Sequence, residues 1–427
     1  MARLVTRVLG QRLLACTFTM AFVLGARAGQ ADVGSDAAAA IVVFPKIIVD
    51  TSTPPQTPRG RVDTLVRISN TSTTRAVSAH CFWVNTNGHC KNSQGTICNP
   101  RLFAASSPCG SNGSCEPGWQ ETDFDITLTA GQPIAWLASR GEAPCDPEDD
   151  SSLPCLPLPA NQGSRIPGVS EDPFIGELKC IEVDKNGVPI ADNDLKGEAE
   201  IIQSNAGQID VEGYNAIGIP AIPGRNNGDD TLVLGPVDAS GRPGPGAEYS
   251  PCPNILILDH FFDGANDLIS GDSVTTELTL VPCSEDFQHQ SVAKITVQFL
   301  VFNEFEQRLS TSRPVTCFDD IKISNIDTRS SASSIFNAAV MGTLTGQTRI
   351  RGVPDSNAQC TAASVPFPCC TGSGTGTCNS SGTNSVGANN ALLGIAEEFR
   401  DGGGSAAFNL HFNGTRPTSD FIYLPTN

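Results

Sequence analysis

The chain has 427 residues and a formal net charge of −18, yet only 17 % of its side chains are charged, and it carries 41 Gly, 30 Pro and 16 Cys. A chain this acidic is repelled by nucleic acid and by anionic lipid, which excludes both as expected targets. Low charge content, abundant Gly and Pro, and short apolar runs separated by turn residues predict an all-β chain, and at this length two domains are expected.

Residues 1–28 read as an export signal. Arg3, Arg7 and Arg12 supply a positive start, an apolar run extends from Leu13 to Gly25, and Ala26-Arg27-Ala28 has the small-residue form that a signal peptidase cuts. Cys16 follows Leu13, Leu14 and Ala15 as in a lipoprotein, but the apolar run continues past the cysteine instead of preceding it. Loss of the leader removes four Arg and takes the net charge from −18 to about −22. No later apolar run has the length of a membrane helix, and Tyr423 to Asn427 form no anchor tail, so a protein without a membrane span is expected after export. Without Cys16, fifteen of the 16 cysteines would enter an oxidising compartment. Most are expected as disulfides, and the odd count requires one free thiol, an intermolecular bridge or a different reading of the signal. No Cys-x-x-Cys occurs, which removes thioredoxin-like and zinc-ribbon chemistry.

Residues 41–49 form a first strand interrupted by Pro45, which has no ladder donor and so predicts an edge position or a bulge. Val62, Thr64, Val66 and Ile68 then alternate, a polar turn follows Asn70, and Val77, Ala79, Cys81 and Trp83 share a face, which predicts a hairpin over 62–84. Residues 87–118 are a Gly-, Ser- and Asn-rich insert holding Cys90, Cys98, Cys109 and Cys115, where local disulfides are expected in place of an apolar core. A second hairpin is predicted over 124–137, followed by a Pro-rich acidic insert bracketed by Cys145 and Cys155. Leu178 and Cys180 share a face in the next strand, which makes Cys81 with Cys180 the expected inter-strand bridge. Strands over 195–203 and 208–219 complete a first β-sandwich domain, 29–219.

Residues 220–253 carry seven Pro among Gly, Asn and Asp and are read as a linker. The second domain, 254–427, centres on residues 294–318, the clearest strand, turn and strand in the chain. Ile295, Val297, Phe299 and Val301 share one face, a polar run reverses the chain, and Val315 with Cys317 resumes the phase. Cys283 and Cys317 flank this hairpin and form the second expected bridge. A short helix is predicted over 330–340, and a third insert holds Cys360, Cys369, Cys370 and Cys378. The last strands are expected over 391–399, 406–412 and 420–424. Both halves repeat the order strand, Asn, polar turn containing Arg, strand, Val, Cys and aromatic, as two related domains would.

No catalytic residue is assigned. His89 with its four neighbouring cysteines matches no zinc spacing, and His260 follows Asp259 on a strand whose adjacent side chains point to opposite faces. Serine-hydrolase, zinc-protease and phosphate-loop motifs do not occur. Glu121, Asp123 and Asp125, and the pair Glu397 and Glu398, are read as solvated carboxylates rather than a glycosidase pair. Trp83 is in phase with Cys81 and belongs to a core. Calcium is the one cofactor considered, because Asp192, Asp194 and Glu198, with Asp184 and Glu200, gather hard oxygen ligands around a turn; Asp146, Glu148, Asp149 and Asp150 form a second group.

The segments GWQETDFDITLTAGQPIAWLAS, GELKCIEVDKNGVPIADNDLKGEAEI and NEFEQRLSTSRPVTCF resemble stretches of a loosely defined group of secreted proteins of environmental Gram-negative bacteria. The resemblance implies tandem immunoglobulin-like sandwiches and export, and it carries over no functional residue. The expected molecule is therefore all-β, with two tandem antiparallel β-sandwich domains and disulfide-rich loop inserts. It is expected outside the cytoplasm, at the cell surface, in the periplasm or secreted. There it would serve surface structure, adhesion or assembly, through contacts with other envelope proteins or with itself. A glycan- or calcium-binding module is the alternative, and a secreted hydrolase the third reading.

Overall fold

A computed structural model describes residues 33–425, apart from 58, 92, 99–108, 111–114, 117, 143–165, 206–207, 237–241, 289–293, 328, 354–358, 361–383, 386–390 and 417. The expected leader, the acidic group at 146–150, and Cys145, Cys155, Cys369, Cys370 and Cys378 lie outside the described residues; of Cys360 only the backbone is described. Strand accounts for 58 % of the described residues, so the fold is all-β as its composition predicts. The short helix expected over 330–340 is a 3₁₀ turn, Ser331–Ser333, followed by one α-turn, Ala338–Met341.

Five larger sheets carry the structure. The first has the order Ile217–Ile219, Ile41–Val49, Phe174–Val183, Val77–Asn85, Gln120–Leu128. The second runs Ile166–Pro167, Gly141–Glu142, Pro133–Leu137, Arg61–Asn70, Leu195–Asn205, Gln208–Asn215. Thr231–Leu234, Asp420–Tyr423 and Glu285–Asp286 make the third. The fourth is Arg308–Thr316, Lys294–Asn303, Thr345–Val353, Pro253–Phe261, His411–Thr415, and the fifth is Asp319–Lys322, Val274–Pro282, Leu392–Arg400, Ser405–Asn409.

These sheets are arranged as a five-bladed β-propeller, and the expected pair of immunoglobulin-like sandwiches is not what the chain forms. Burial gives the physical reason. A sandwich sheet keeps one face on solvent, so its strands alternate between buried and exposed positions. Ile41–Val49 and Phe174–Val183 are instead buried at every position. One face of this sheet packs Val42, Phe44 and Leu178 against Val66, Ile68 and Ile201 of the second sheet. Its other face packs Ile41, Val43 and Ile181 against Leu232 and Ile422 of the third sheet and Val281 and Leu393 of the fifth. The stretch 220–253 takes part in this packing, since Thr231–Leu234 pairs with Asp420–Tyr423 and Tyr249 is fully buried. Residues 31–427 cluster as one compact unit.

The predicted hairpin at 294–318 forms, with Lys294 opposite Thr316 and Phe302 opposite Arg308. The predicted hairpins at 62–84 and 124–137 do not. Arg61–Asn70 belongs to the second sheet and Val77–Asn85 to the first, and Gln120–Leu128 and Pro133–Leu137 are divided in the same way. Each turn carries the chain across the core instead of back along one sheet. Buried Asn70 holds the two crossings together, donating from Nδ2 to the carbonyls of Arg75 at 2.7 Å and Thr129 at 3.0 Å.

Cys81 and Cys180 stand directly opposite each other on neighbouring strands and are bonded. The first insert is closed by Cys90–Cys109 and Cys98–Cys115, whose sulfurs form its small core. The expected Cys283–Cys317 bridge is corrected: Cys283 is bonded to Cys252, and Cys317 is a buried free thiol. The reason is local, because Cys317 has φ 64 at a break after Arg308–Thr316 that turns it out of the strand's phase. These disulfides fit an extracellular or otherwise oxidising compartment. Among the described residues, no helix is long and apolar enough to cross a membrane.

Candidate functional site

Pro45 lies in the middle of a central strand, and the ladder absorbs it as a bulge, with register shifting between Phe44 and Ile47. The bulge projects Lys46, fully buried, toward the fifth sheet. There its Nζ meets Asp320 Oδ1 at 2.8 Å, Glu397 Oε2, and Glu277 at 3.8 Å. Arg59 joins from the loop before Arg61–Asn70, donating to Glu397 Oε1 at 2.8 Å and Glu277 Oε2 at 2.6 Å with its guanidinium 4.4 Å from the Phe399 ring. Burial and Arg59 both work against the Lys46 ammonium, but Asp320, Glu397 and Glu277 together hold its pKa above the usual value. Burial disfavours charge on Glu397 as well; Arg59 and Lys46 outweigh it and keep the carboxylate ionised. Glu212, beside them, is pushed up to about 7 by burial and then by the charge of Glu397. This is a buried ionic lock between the first and fifth sheets.

The expected calcium trio does not converge. Glu198 lies 3.2 Å from Arg67, which Glu200 also meets at 2.5 Å, and Asp184 accepts the backbone N–H groups of Asn186 and Val188 in its own turn. Asp192 and Asp194 do come together, with Glu182 as the third member, their ligand oxygens within 4.8 Å of one another. Asn193, between them at φ 58, pins the loop by accepting the N–H groups of Ala40 at 3.0 Å and Ala221 at 2.6 Å. Arg75 caps the outer side, 2.7 Å from Asp192 and 2.5 Å from Asp194. On the inner side Glu182 is buried and its Oε1 has no hydrogen-bond partner. Burial, added to by the charges of Asp194 and Asp192, pushes the Glu182 carboxyl up to about 8.

His260 is buried and serves structure, whereas His80 and His89 are partly open and face acids. His260 donates from its ring to the Phe261 carbonyl at 2.9 Å and meets the Thr348 hydroxyl at 2.8 Å. Asp259 points away and accepts from Gln347 at 3.0 Å, so the two residues do not pair. Beside them is an open depression of about 520 Å³, lined by Phe302, Glu304, Gln347 and Glu398 among others. Burial pulls the His260 pKa from 6.5 to about 4. As pH falls the unfolded chain takes up this proton first. The stability present above about 6.5 is therefore lost as pH falls through about 4, a loss of about 3 kcal/mol. Acid titration of urea midpoints for wild type and His260→Gln should diverge across that window, and parallel curves would refute the assignment. His80 lies 3.4 Å from Asp123 and 3.3 Å from Asp125 on the outer edge of the first sheet. His89 meets Glu171 at 3.0 Å, and the sulfurs beside it are consumed in disulfides.

Sequence reading missed Lys46, Arg59, Lys179 and Glu285 as members of buried charge clusters. A signal was present: Lys46 interrupts an apolar strand, and Glu177 and Lys179 fall on the same face as Ile175 and Ile181. Compared with models of known protein families and with curated proteins, the chain matches none.

Proposed function

We propose that this is an exported, non-enzymatic assembly protein that joins copies of itself head to tail by strand addition. The observation that carries the reading is a pair of sheet-terminal strands of opposite character. Arg308–Thr316 ends the fourth sheet, and nearly all its positions are open to solvent, with Leu309 41 % exposed and Phe305 at its turn 70 %. Beyond it on the same sheet stand the exposed Arg349 and Arg351. Gln120–Leu128 ends the first sheet and presents Asp123 and Asp125, 59 % and 68 % exposed. A strand end offers unpaired backbone groups to another strand. Opposite charges favour the unlike edges, and unlike edges on one molecule build an open chain or a ring. The chain's own acidity, −18 overall, makes a second copy the partner its arginines fit.

Light scattering after size exclusion tests this. The wild type should form oligomers that high salt dissociates. Arg308→Glu and the double variant Asp123→Lys with Asp125→Lys should each be monomeric alone. Mixed together they should give a dimer, because each retains one intact edge. A wild type that stays monomeric at high concentration would rule the proposal out.

A second reading, calcium binding, is favoured by the partnerless Glu182 oxygen facing Asp192 and Asp194. A cation there must displace the Glu182 proton, so binding strengthens as pH rises through about 8. Calcium should raise the melting temperature more above that pH than below it. Glu182→Gln should abolish the difference, and a melting temperature indifferent to calcium at either pH would dispose of the site.

A further inference from the structure

A second buried charge cluster lies between the first and third sheets, apart from the two sheet edges proposed for assembly. Lys179 reaches from Phe174–Val183 to Glu285, its Nζ in contact with Oε2. Glu177, two residues earlier and therefore on the same face, lies 4.0 Å from the same Nζ. The three side chains are 0 %, 2 % and 0 % exposed, respectively. The Phe287 ring, 5.9 Å from Nζ, closes over them with Trp119 at its edge, and the Cys317 thiol faces the two carboxyls.

Neither oxygen of Glu177 accepts a hydrogen bond. Two buried carboxyls this close to one ammonium hold their places only if one keeps its proton. Burial and then the charge of Glu285 push Glu177 well above the usual carboxyl range, so Glu177 is the protonated one. An ammonium and two carboxyls, one of them protonated, are thus held together away from bulk solvent.

We propose that Lys179 and Glu285 are joined by a side-chain amide, formed by the folded chain itself with Glu177 as the acid and base. Burial works against the Lys179 ammonium, but Glu177 and Glu285 together hold its pKa above the usual value, so the ammonium is the resting form. Passing its proton to Glu285 gives the reactive neutral pair as a minor state that replaces two buried charges. The Nζ lone pair attacks Glu285 Cδ while Glu177 donates its proton to the carbonyl oxygen. Glu177 then takes a proton from the new C–N centre, delivers it to one hydroxyl, which departs as water, and recovers the proton of the other hydroxyl as the amide carbonyl forms. One N–C bond forms, one C–O bond breaks, one water leaves, and Glu177 ends protonated as it began. No oxidant or further reactant is needed, because fixed proximity supplies the driving geometry. The Lys46 cluster contrasts with this one: Arg59 grips Glu397 by two N–H bonds and keeps it ionised, which blocks the neutral carboxyl that amide formation requires.

Tryptic mass mapping of the full chain, reduced and alkylated, decides the matter. The expected product is a branched peptide joining the segments around Lys179 and Glu285, one water lighter than their sum and uncut after Lys179. Glu177→Gln should give the two linear peptides instead, as should Lys179→Arg. Linear peptides cleaved after Lys179 in the wild type would overturn the proposal whatever the variants do. A branched peptide persisting in Glu177→Gln would overturn the role given to Glu177.

Discussion

Replacing Lys46 with methionine is expected to cost about 3–5 kcal/mol of stability, the range for removing one partner from a buried ion pair. Methionine keeps the length of the side chain, so the loss measures charge rather than volume. The substitution leaves Glu397, fully buried, with Arg59 alone, and it strips Asp320 of its 2.8 Å bond to Nζ while the Thr279 hydroxyl remains at 2.8 Å. The orphaned carboxylates can be relieved by protonation. Without Lys46 their folded-state pKa values rise, so the deficit in the variant should shrink as pH is lowered. Urea midpoints measured against pH give both readings. Adding Asp320→Leu should recover part of the loss, because a pair removed together leaves fewer buried charges unmatched than one partner removed alone. A Lys46→Met midpoint equal to wild type at neutral pH would show that the lock between the sheets contributes nothing.

What the sequence made legible follows from what a period of two encodes. Alternation tells which face of a strand is buried, and it placed Val62, Val66 and Ile68, and later Val297, Phe299 and Val301, inward as the structure has them. It does not tell which strand lies alongside. The turns after Asn70 and after Leu128 have the same polar character as the turn after Asn303, yet only the last folds back on its own sheet. Asn303 shows the limit. Its Oδ1 accepts the N–H groups of Phe305 at 3.0 Å and Gln307 at 2.9 Å within its own turn, and its Nδ2 reaches the Met341 carbonyl at 2.8 Å. Asn70 likewise accepts from Ser72 in its turn and reaches Thr129, so the local pattern is the same where the chain reverses and where it crosses. The same limit hid the propeller. Apolar residues on both faces of 41–49 were legible on either side of Pro45 and Lys46, but the partners covering one of those faces come from 274–282, 392–400 and 420–423.

The candidate sites were legible to the degree that their members were neighbours in sequence. Asp192 and Asp194 could be found because one turn carries both; Glu182 and Arg75 arrive through strand pairing and could not be. Lys46 and Glu397 are 351 residues apart, and Lys179 and Glu285 are 106 apart. In each case one member announced itself as a charge on an apolar strand, but nothing local tied it to its partner; Glu397, read from sequence as a solvated carboxylate, is fully buried.

Removing the Cys81–Cys180 bridge by a double change to alanine should cost about 4–5 kcal/mol, the chain-entropy value for a closed loop of that size, and should cost more than removing any other bridge described. The two residues are separated by 99 positions, against 31 for Cys252 and Cys283, 19 for Cys90 and Cys109 and 17 for Cys98 and Cys115. Because loop entropy grows with the logarithm of length, the Cys252–Cys283 pair should cost about 1 kcal/mol less than the first. The effect acts on the unfolded chain, which expands once released, so the urea m-value should rise as the midpoint falls. Packing adds to it, since both sulfurs lie fully buried in the core between the first and second sheets, where alanine leaves space. The two short bridges sit in an insert with its own small core, and their loss should appear first as local proteolysis near 90–115 rather than as a shift of the main transition. If the Cys252–Cys283 variant proved the less stable of the two long-loop variants, strain or residual structure in the unfolded chain would have to outweigh loop length. An unchanged m-value in the Cys81–Cys180 variant would place its effect in the folded state instead.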